Sequence, residues 1–347
     1  MWGIYGATGY TGRLIAAEAL ARGHRPVLLG RSAGSLRQIA DATGLEFRLV
    51  ADAASADFAS TLGDLDLLVN AAGPFDQTVG PTLGACIAST TAYLDISNEL
   101  ATVLDVLDAD GRCREAGTSA TPGVGYGTVA SEAVAARAHA ACPDAVSIEV
   151  ALLADNAGGG AGTAASVFAV LADGGVRLVD GEIVRSRLGR GIRRVRLPIG
   201  RRSLVAVATG DLAAVQRTTG VRNVTASVAI AAPAALLAAV LPAVSATART
   251  GWLKGSAKRT PRLREYRSYA WARATNGEGG SASAWLATGE GYAFTASSVV
   301  SAVEATLAAP RVGAFSSGAA FGPDFALRVP GTTIDLLDDV GARVAPT

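Results

Sequence analysis

Met1-Trp-Gly-Ile-Tyr-Gly-Ala-Thr-Gly-Tyr-Thr-Gly12 opens the chain, and its reading decides the fold. Trp2 to Tyr5 read as a short buried strand. Gly6, Gly9 and Gly12 follow at three-residue spacing, and apolar residues then recur at helical intervals (Leu14, Ile15, Ala17, Ala19, Leu20). A strand that turns sharply into a helix is the phosphate-binding element of a dinucleotide fold. Gly6 permits the tight turn, Gly9 lets the backbone approach a pyrophosphate, and Gly12 lets the helix pack close on the strand. The helix N-terminus offers unpaired N–H groups and the positive end of its dipole to that anion. Thr8, Tyr10 and Thr11, which stand among the glycines, are candidate nucleotide contacts with them.

The second strand bears on which nucleotide is held. Pro26-Val-Leu-Leu-Gly-Arg-Ser32 follows the first helix. NAD-binding folds usually place an Asp or Glu at the end of this strand, on the ribose 2′-hydroxyl; here the place is Gly30-Arg31-Ser32, with no acid. A carboxylate repels a 2′-phosphate. A guanidinium pairs with it through two charge-assisted bonds, and a serine hydroxyl adds a donor. Arg31 and Ser32 therefore predict NADPH over NADH, the bland alternative being a solvated arginine on a loop.

Working outward, Phe47-Arg-Leu-Val50 reads as a third strand. Asp52 follows it, placed either for an adenine-edge contact or as a cap on a helix over Ser55 to Leu62. Asp66 to Asn70 is a continuous apolar run, as suits a central parallel strand. It ends in Ala71-Ala-Gly-Pro-Phe75, so Ala71, Ala72, Gly73, Pro74 and Phe75 are expected beside the dinucleotide, at the carboxyl-end crevice of an open sheet. Ala92 to Ser97 and Gly117 to Thr121 read as further strands, the latter leading into Pro122-Gly-Val-Gly-Tyr-Gly127. Such alternation makes a doubly wound parallel sheet over residues 1–127.

Residues 128–300 read as a second α+β domain with a mixed sheet, for substrate binding or oligomerisation, and 301–347 as a C-terminal segment. Tyr292 to Thr295 is expected as a strand and Ala296 to Leu307 as a helix. The uncharged stretch 223–248 reads as a helical hairpin, buried or covering a substrate; its length would suit a membrane span, but Pro233 and Pro242 weigh against one. Asn156 to Thr163 reads as a glycine-rich turn. Arginines cluster from Arg185 to Arg202, and a second basic stretch from Arg249 to Arg267 carries Trp252 and Tyr266. A basic cluster is usually a solvated face; the sharper reading is a docking surface for an acidic carrier protein or a CoA phosphate.

Composition bounds the chemistry. The chain has 347 residues, half of them apolar, and a net charge of +1, which argues against a nucleic-acid partner. Cys86, Cys113 and Cys142 lack metal-ligand spacing, and His24 and His139 are the only histidines, so a His-rich metal site is excluded. No basic region and apolar core precede the first strand, so a cytoplasmic location is expected, with peripheral membrane contact and a homodimer both compatible with the sequence.

Five motifs stand in order: Gly6-Ala-Thr-Gly-Tyr-Thr-Gly-Arg13, Leu29-Gly-Arg-Ser32, Asn70-Ala-Ala-Gly-Pro-Phe75, Tyr93-Leu-Asp-Ile-Ser97 and Pro122-Gly-Val-Gly-Tyr126. Together the sequence resembles the saccharopine dehydrogenase-like reductases, and within them the short trans-acting enoyl reductase branch that serves polyketide and lipid assembly. The match is close over roughly the first 130 residues and weaker beyond. The resemblance implies an NADPH-dependent oxidoreductase of secondary or lipid metabolism, with a C-terminal segment packed back on the first domain.

Tyr-x-x-x-Lys of the short-chain dehydrogenases is absent, since Lys254 and Lys258 follow Thr250 and Lys254. The Lys–His pair of lysine-forming saccharopine dehydrogenases is likewise missing. What remains is hydride delivery to a small-molecule or carrier-bound substrate with a conjugated C=C bond. Tyr126 is the preferred proton donor, ahead of Tyr292 and Tyr10, with simple packing as the alternative. Ser97 is expected at the cofactor, and Asp95, Ser97 and Glu99 at the substrate pocket. Two other readings are a C=N reductase, which needs a carboxylate-binding arginine, and a non-catalytic NADPH sensor or lipid-associated binding protein.

Overall fold

The computed structural model describes residues 1–55, 57–154, 174–249, 267–338 and 341. The chain divides into two compact units. The first comprises Met1–Tyr126, Tyr292–Gly322 and Arg328–Pro330; the second comprises Gly127–Gly291, Pro323–Leu327 and Gly331–Thr347.

The first unit is built on a parallel sheet of β1 (Trp2–Tyr5), β2 (Val27–Gly30), β3 (Phe47–Leu49), β4 (Leu67–Asn70), β5 (Ala92–Asp95), β6 (Ser119–Thr121) and the late strand β15 (Gly313–Ala314). Their order is β15-β6-β5-β4-β1-β2-β3. β1 pairs with β2 on one side (Ile4 opposite Leu28) and with β4 on the other (Ile4 opposite Val69), so the strand order reverses at β1. A ligand crevice belongs at the carboxyl ends of these strands. β1, β2 and β4 are buried along their whole length, which explains their unbroken apolar sequences. Between the strands run α1 (Tyr10–Ala21), α2 (Ala33–Thr43), α3 (Asp57–Leu62), α4 (Phe75–Ala88), α5 (Leu100–Leu107) and α6 (Asp110–Ala116). Tyr5, Phe58, Leu62, Leu68, Leu83 and Tyr93 lie at the centre of the core on one face.

α10 (Gly291–Ala308) and α11 (Ser317–Phe321) return to this unit. Arg22, just past α1, fastens α10: its guanidinium donates to Ser301 Oγ at 2.9 Å and to Ser297, and reaches Glu304. His24 Nε2 lies 3.0 Å from Glu304 Oε1.

The second unit carries a nine-stranded mixed sheet. Its strands are β7 (Ala145–Ala154), β8 (Gly175–Val179), β9 (Glu182–Ser186), β10 (Arg193–Leu197), β11 (Gly200–Ala206), β12 (Asn223–Ile230), β13 (Ser268–Asn276), β14 (Ser281–Thr288) and β16 (Thr333–Leu337). The order is β10-β11-β12-β7-β13-β14-β16, with β8 on β12 and β9 on β8. β7 and β12 are parallel and the other pairs antiparallel. Its helices are α7 (Tyr126–Ala141), which begins on the last residue of the first unit, α8 (Asp211–Thr219) and α9 (Ala234–Arg249). Trp271, Trp285, Tyr269 and Leu204 build the apolar cluster on one sheet face.

Three expectations are corrected. The stretch 223–248 is not a helical hairpin: Asn223–Ile230 is β12, between β11 and β7, and only Ala234–Arg249 is helical. Tyr292 to Thr295 is the first turn of α10 rather than a strand. The chain rejoins the first unit at Tyr292, before 301, and residues 331–347 fall in the second unit, where β16 pairs with β14. The glycine-rich turn at 156–163 and most of the basic stretch 249–267 lie outside the described residues. Among the described residues no helix is long and apolar enough to cross a membrane.

Candidate functional site

At the carboxyl end of β1 the chain turns at Gly6, whose φ is +86°. The Gly6 N–H donates to Leu29 O at 3.0 Å, and Gly9 N–H to Gly6 O at 2.9 Å. A Cβ on Gly6 would lie 2.7 Å from Ala72 N; one on Gly12 would lie 2.3 Å from Gly6 O. The loop after β4 and the first turn of α1 thus both close on this backbone, and neither position has room for a side chain. Gly9 is the N-cap of α1, no side chain caps the helix, and its first turn holds no acid. Arg13 Nε donates back to Thr8 O at 3.1 Å and fixes the turn. A cradle closed to side chains, under an uncapped positive helix end, fits a pyrophosphate.

Arg31 and Ser32 follow β2. Ser32 is the N-cap of α2, accepting from the Ser35 N–H and donating to Ser35 Oγ at 3.0 Å. Arg31 is exposed, with no hydrogen-bond or ion-pair partner among the described residues. Asp52 Oδ1 accepts from Ala54 N–H at 2.9 Å, so it closes its own turn instead of capping α3; Ser55 Oγ takes the Asp57 N–H at 3.3 Å. Burial raises the Tyr5 phenol above its ordinary range; the Arg31 charge lowers it and the Asp52 charge raises it. Arg31 and Asp52 thus both act electrostatically on Tyr5, at the carboxyl end of β1.

The carboxyl end of β4 is held by Asn70, which is fully buried. Its amide donates to Thr82 Oγ1 at 3.1 Å and Tyr93 Oη at 3.2 Å, and its oxygen accepts from Ala72 N–H at 3.0 Å. This shapes the turn Ala71–Pro74. Gly73 and Pro74 are exposed on it, and Phe75 opens α4. Asp95 and Ser97 prove to be interior residues: both are buried, and the Ser97 hydroxyl donates to Asp95 Oδ1 at 2.8 Å. The Ser97 hydroxyl and N–H are thus both engaged by Asp95 Oδ1. Burial raises the Asp95 carboxyl, opposed by hydrogen bonds from Gly123, Ser97 and Tyr93. Glu99 Oε2 accepts from Asn98 N–H at 3.1 Å at the start of α5.

Tyr126 is the first residue of α7, half-buried, at the end of the loop from β6. Its N–H donates to Thr295 Oγ1 at 3.1 Å, and its ring meets Phe294 edge-on at 5.6 Å. Tyr10, opening α1, meets Tyr292 edge-on at 4.9 Å. The first turn of α10 thus joins the glycine turn and the Tyr126 loop at one edge of the first unit, bringing together the three tyrosines named as donors. The sequence reading missed Phe294 and Thr295, because no local pattern links them to a loop some 169 positions away. His24 lies between α1 and β2, at the opposite, amino edge of the sheet.

Residues 2–121 match the saccharopine dehydrogenase NADP binding domain family. No curated protein matches the chain. Among solved structures, the chain is similar to apo saccharopine dehydrogenase (L-Glu forming) from Saccharomyces cerevisiae, at 12% identity and a TM-score of 0.63, covering 97% of this chain and 99% of that one. It is also similar to the homospermidine synthase of Legionella pneumophila in complex with NAD, at 13% identity and a TM-score of 0.66, covering 96% and 90%. The fold is therefore shared over nearly the full length of both. Residues 2–121, which make up most of the first unit, thus match a nicotinamide dinucleotide-binding domain, and the two structures share the fold of the chain.

Proposed function

We propose that the protein is an NADPH-dependent reductase that adds a hydride and a proton across the conjugated C=C bond of an enoyl thioester. The observation that supports this is that the first turn of α10 contacts both Tyr126 and Tyr10, which opens α1 after the glycine turn, while Arg31 is exposed at the end of β2. The glycine turn and α1 hold the pyrophosphate, and Arg31 holds the 2′-phosphate. Reduced nicotinamide, when bound, supplies the hydride, which the substrate takes at Cβ. Tyr126 Oη gives the proton to Cα, and backbone N–H groups polarise the thioester carbonyl. Neither histidine competes for the donor role: His24 is bound to Glu304 at the amino edge, and His139 is in the last turn of α7, at the opposite end of that helix from Tyr126. Exposed Arg185, Arg194, Arg196 and Arg201 on β9 to β11 support docking of an acidic acyl carrier.

The C=N reading is supported as well by the fold shared with saccharopine dehydrogenase and homospermidine synthase. One assay separates the readings: NADPH consumption with parallel panels of enoyl thioesters and imines. Turnover confined to thioesters, lowered about a hundredfold or more in Tyr126→Phe with nucleotide binding intact, is expected. Turnover of imines alone moves the assignment to C=N. Tight NADPH binding without consumption on either panel favours a sensor.

A further inference from the structure

The loop Pro122 to Gly125, which delivers Tyr126, is gripped from two sides by residues distant in sequence. On one side stands Asp95, at the end of β5 and wholly buried. Its Oδ1 accepts from Gly123 N–H at 2.9 Å, Ser97 N–H at 2.9 Å and Ser97 Oγ at 2.8 Å; its Oδ2 accepts from Tyr93 Oη at 2.9 Å. Its backbone oxygen takes the Val124 N–H at 2.8 Å. On the other side stands Thr295, in the first turn of α10. Its Oγ1 accepts the Tyr126 N–H, and its methyl would lie 3.2 Å from a Cβ at residue 125.

A carboxylate is a costly group to bury, and packing alone would be served by an apolar residue. What Asp95 does that an apolar residue cannot is collect donors from β5, the turn after it and the turn after β6 on one carboxyl group, the two turns sharing Oδ1. Thr295 holds the end of the same loop with a single directed acceptor on the Tyr126 N–H. We infer that Asp95 and Thr295 are positioning residues that clamp the 122–125 loop between them and so fix Tyr126 in one place at the carboxyl edge. The inference rests on the reading of Tyr126 as proton donor, and it adds the two side chains through which that donor is held.

The test combines amide hydrogen exchange with steady-state kinetics on the full chain in three variants. Thr295→Val keeps the shape and removes the acceptor. Asp95→Ala removes the hub. Asp95→Asn keeps an oxygen at the Oδ1 place. Thr295→Val should speed exchange at the Tyr126 amide, and Asp95→Ala at the Gly123 and Val124 amides, by about tenfold or more, with β1 and β2 unchanged. In both, kcat should fall by about tenfold while KM for NADPH stays within about twofold, and Asp95→Asn should recover most of the loss. If Asp95→Ala does not fold, Thr295→Val and Asp95→Asn decide the matter, since neither leaves a void. Unchanged exchange at these amides, protection lost evenly across the sheet, or a raised KM at constant kcat would each overturn the inference. Full turnover in Tyr126→Phe would instead sink the donor reading, and the exchange pattern would still report on the clamp.

Discussion

Arg31 is the side chain on which the proposed preference for NADPH rests. It is exposed and without a partner among the described residues, so a 2′-phosphate would complete it. Charge-assisted hydrogen bonds contribute about 1.5–3 kcal/mol, so Arg31→Ala should weaken NADPH binding by about tenfold or more and leave NADH nearly unchanged. Gly12→Ala tests the cradle: a Cβ 2.3 Å from Gly6 O cannot be accommodated without moving α1. Urea unfolding should show a loss of about 1–3 kcal/mol, and nucleotide binding should weaken with it. Asp95 gives a pH signature. Burial raises its carboxyl above the ordinary 3.8, so the folded chain keeps that proton to a higher pH than the unfolded chain does. Ionisation therefore costs stability as pH rises through the folded value. Asp95→Asn cannot ionise, so its urea midpoint should gain on the wild type as pH rises above the ordinary carboxylate value of 3.8; a difference constant with pH would contradict this.

At the scale of elements, the first turn of α10 is the piece that the sequence hid, the rest of the helix being legible over Ala296 to Leu307. Tyr292, Phe294 and Thr295 have strand-favouring side chains, yet they form a helical turn, because packing on Tyr10 and Tyr126 outweighs local preference. The stretch over β12 misled for another reason. β12 is uncharged and runs with no intervening charge into the Ala- and Leu-rich helix that follows, so the two read as one helical stretch although Asn223, Thr225 and Ser227 alternate with apolar residues as in a strand. By contrast, β1, the glycine turn and α1 were legible because each rests on local chemistry: a buried apolar run, a positive φ at Gly6 and the absence of a cap. α10 is fastened at its far end by Arg22, whose guanidinium is about three-quarters buried. Arg22→Ala should cost about 1–3 kcal/mol in unfolding experiments and raise exchange along the second half of α10 first. A loss spread evenly over the first unit would show that the fastening is not local.

On the scale of the whole molecule, the sequence marked one unit far better than the other. The dinucleotide unit repeats a strand-turn-helix grammar whose contacts are close in sequence, and residues 2–121 match a family on that part alone. The second unit joins β7 to β13 and β14 to β16 across long separations, and such pairings leave no local trace. The same division holds for the site. The tight glycine turn could be read from glycine spacing, whereas the four hydrogen bonds that Asp95 accepts across two turns left no pattern in the sequence. The central claim is that this chain is built to hold NADPH. Its most direct test is a titration of the protein with NADPH and with NADH, followed by nicotinamide fluorescence, in wild type and Arg31→Ala. The account predicts NADPH binding about tenfold or more tighter than NADH, with that advantage lost in the variant. Failure of both nucleotides to bind at about millimolar concentration, or equal loss of both in Arg31→Ala, would contradict it.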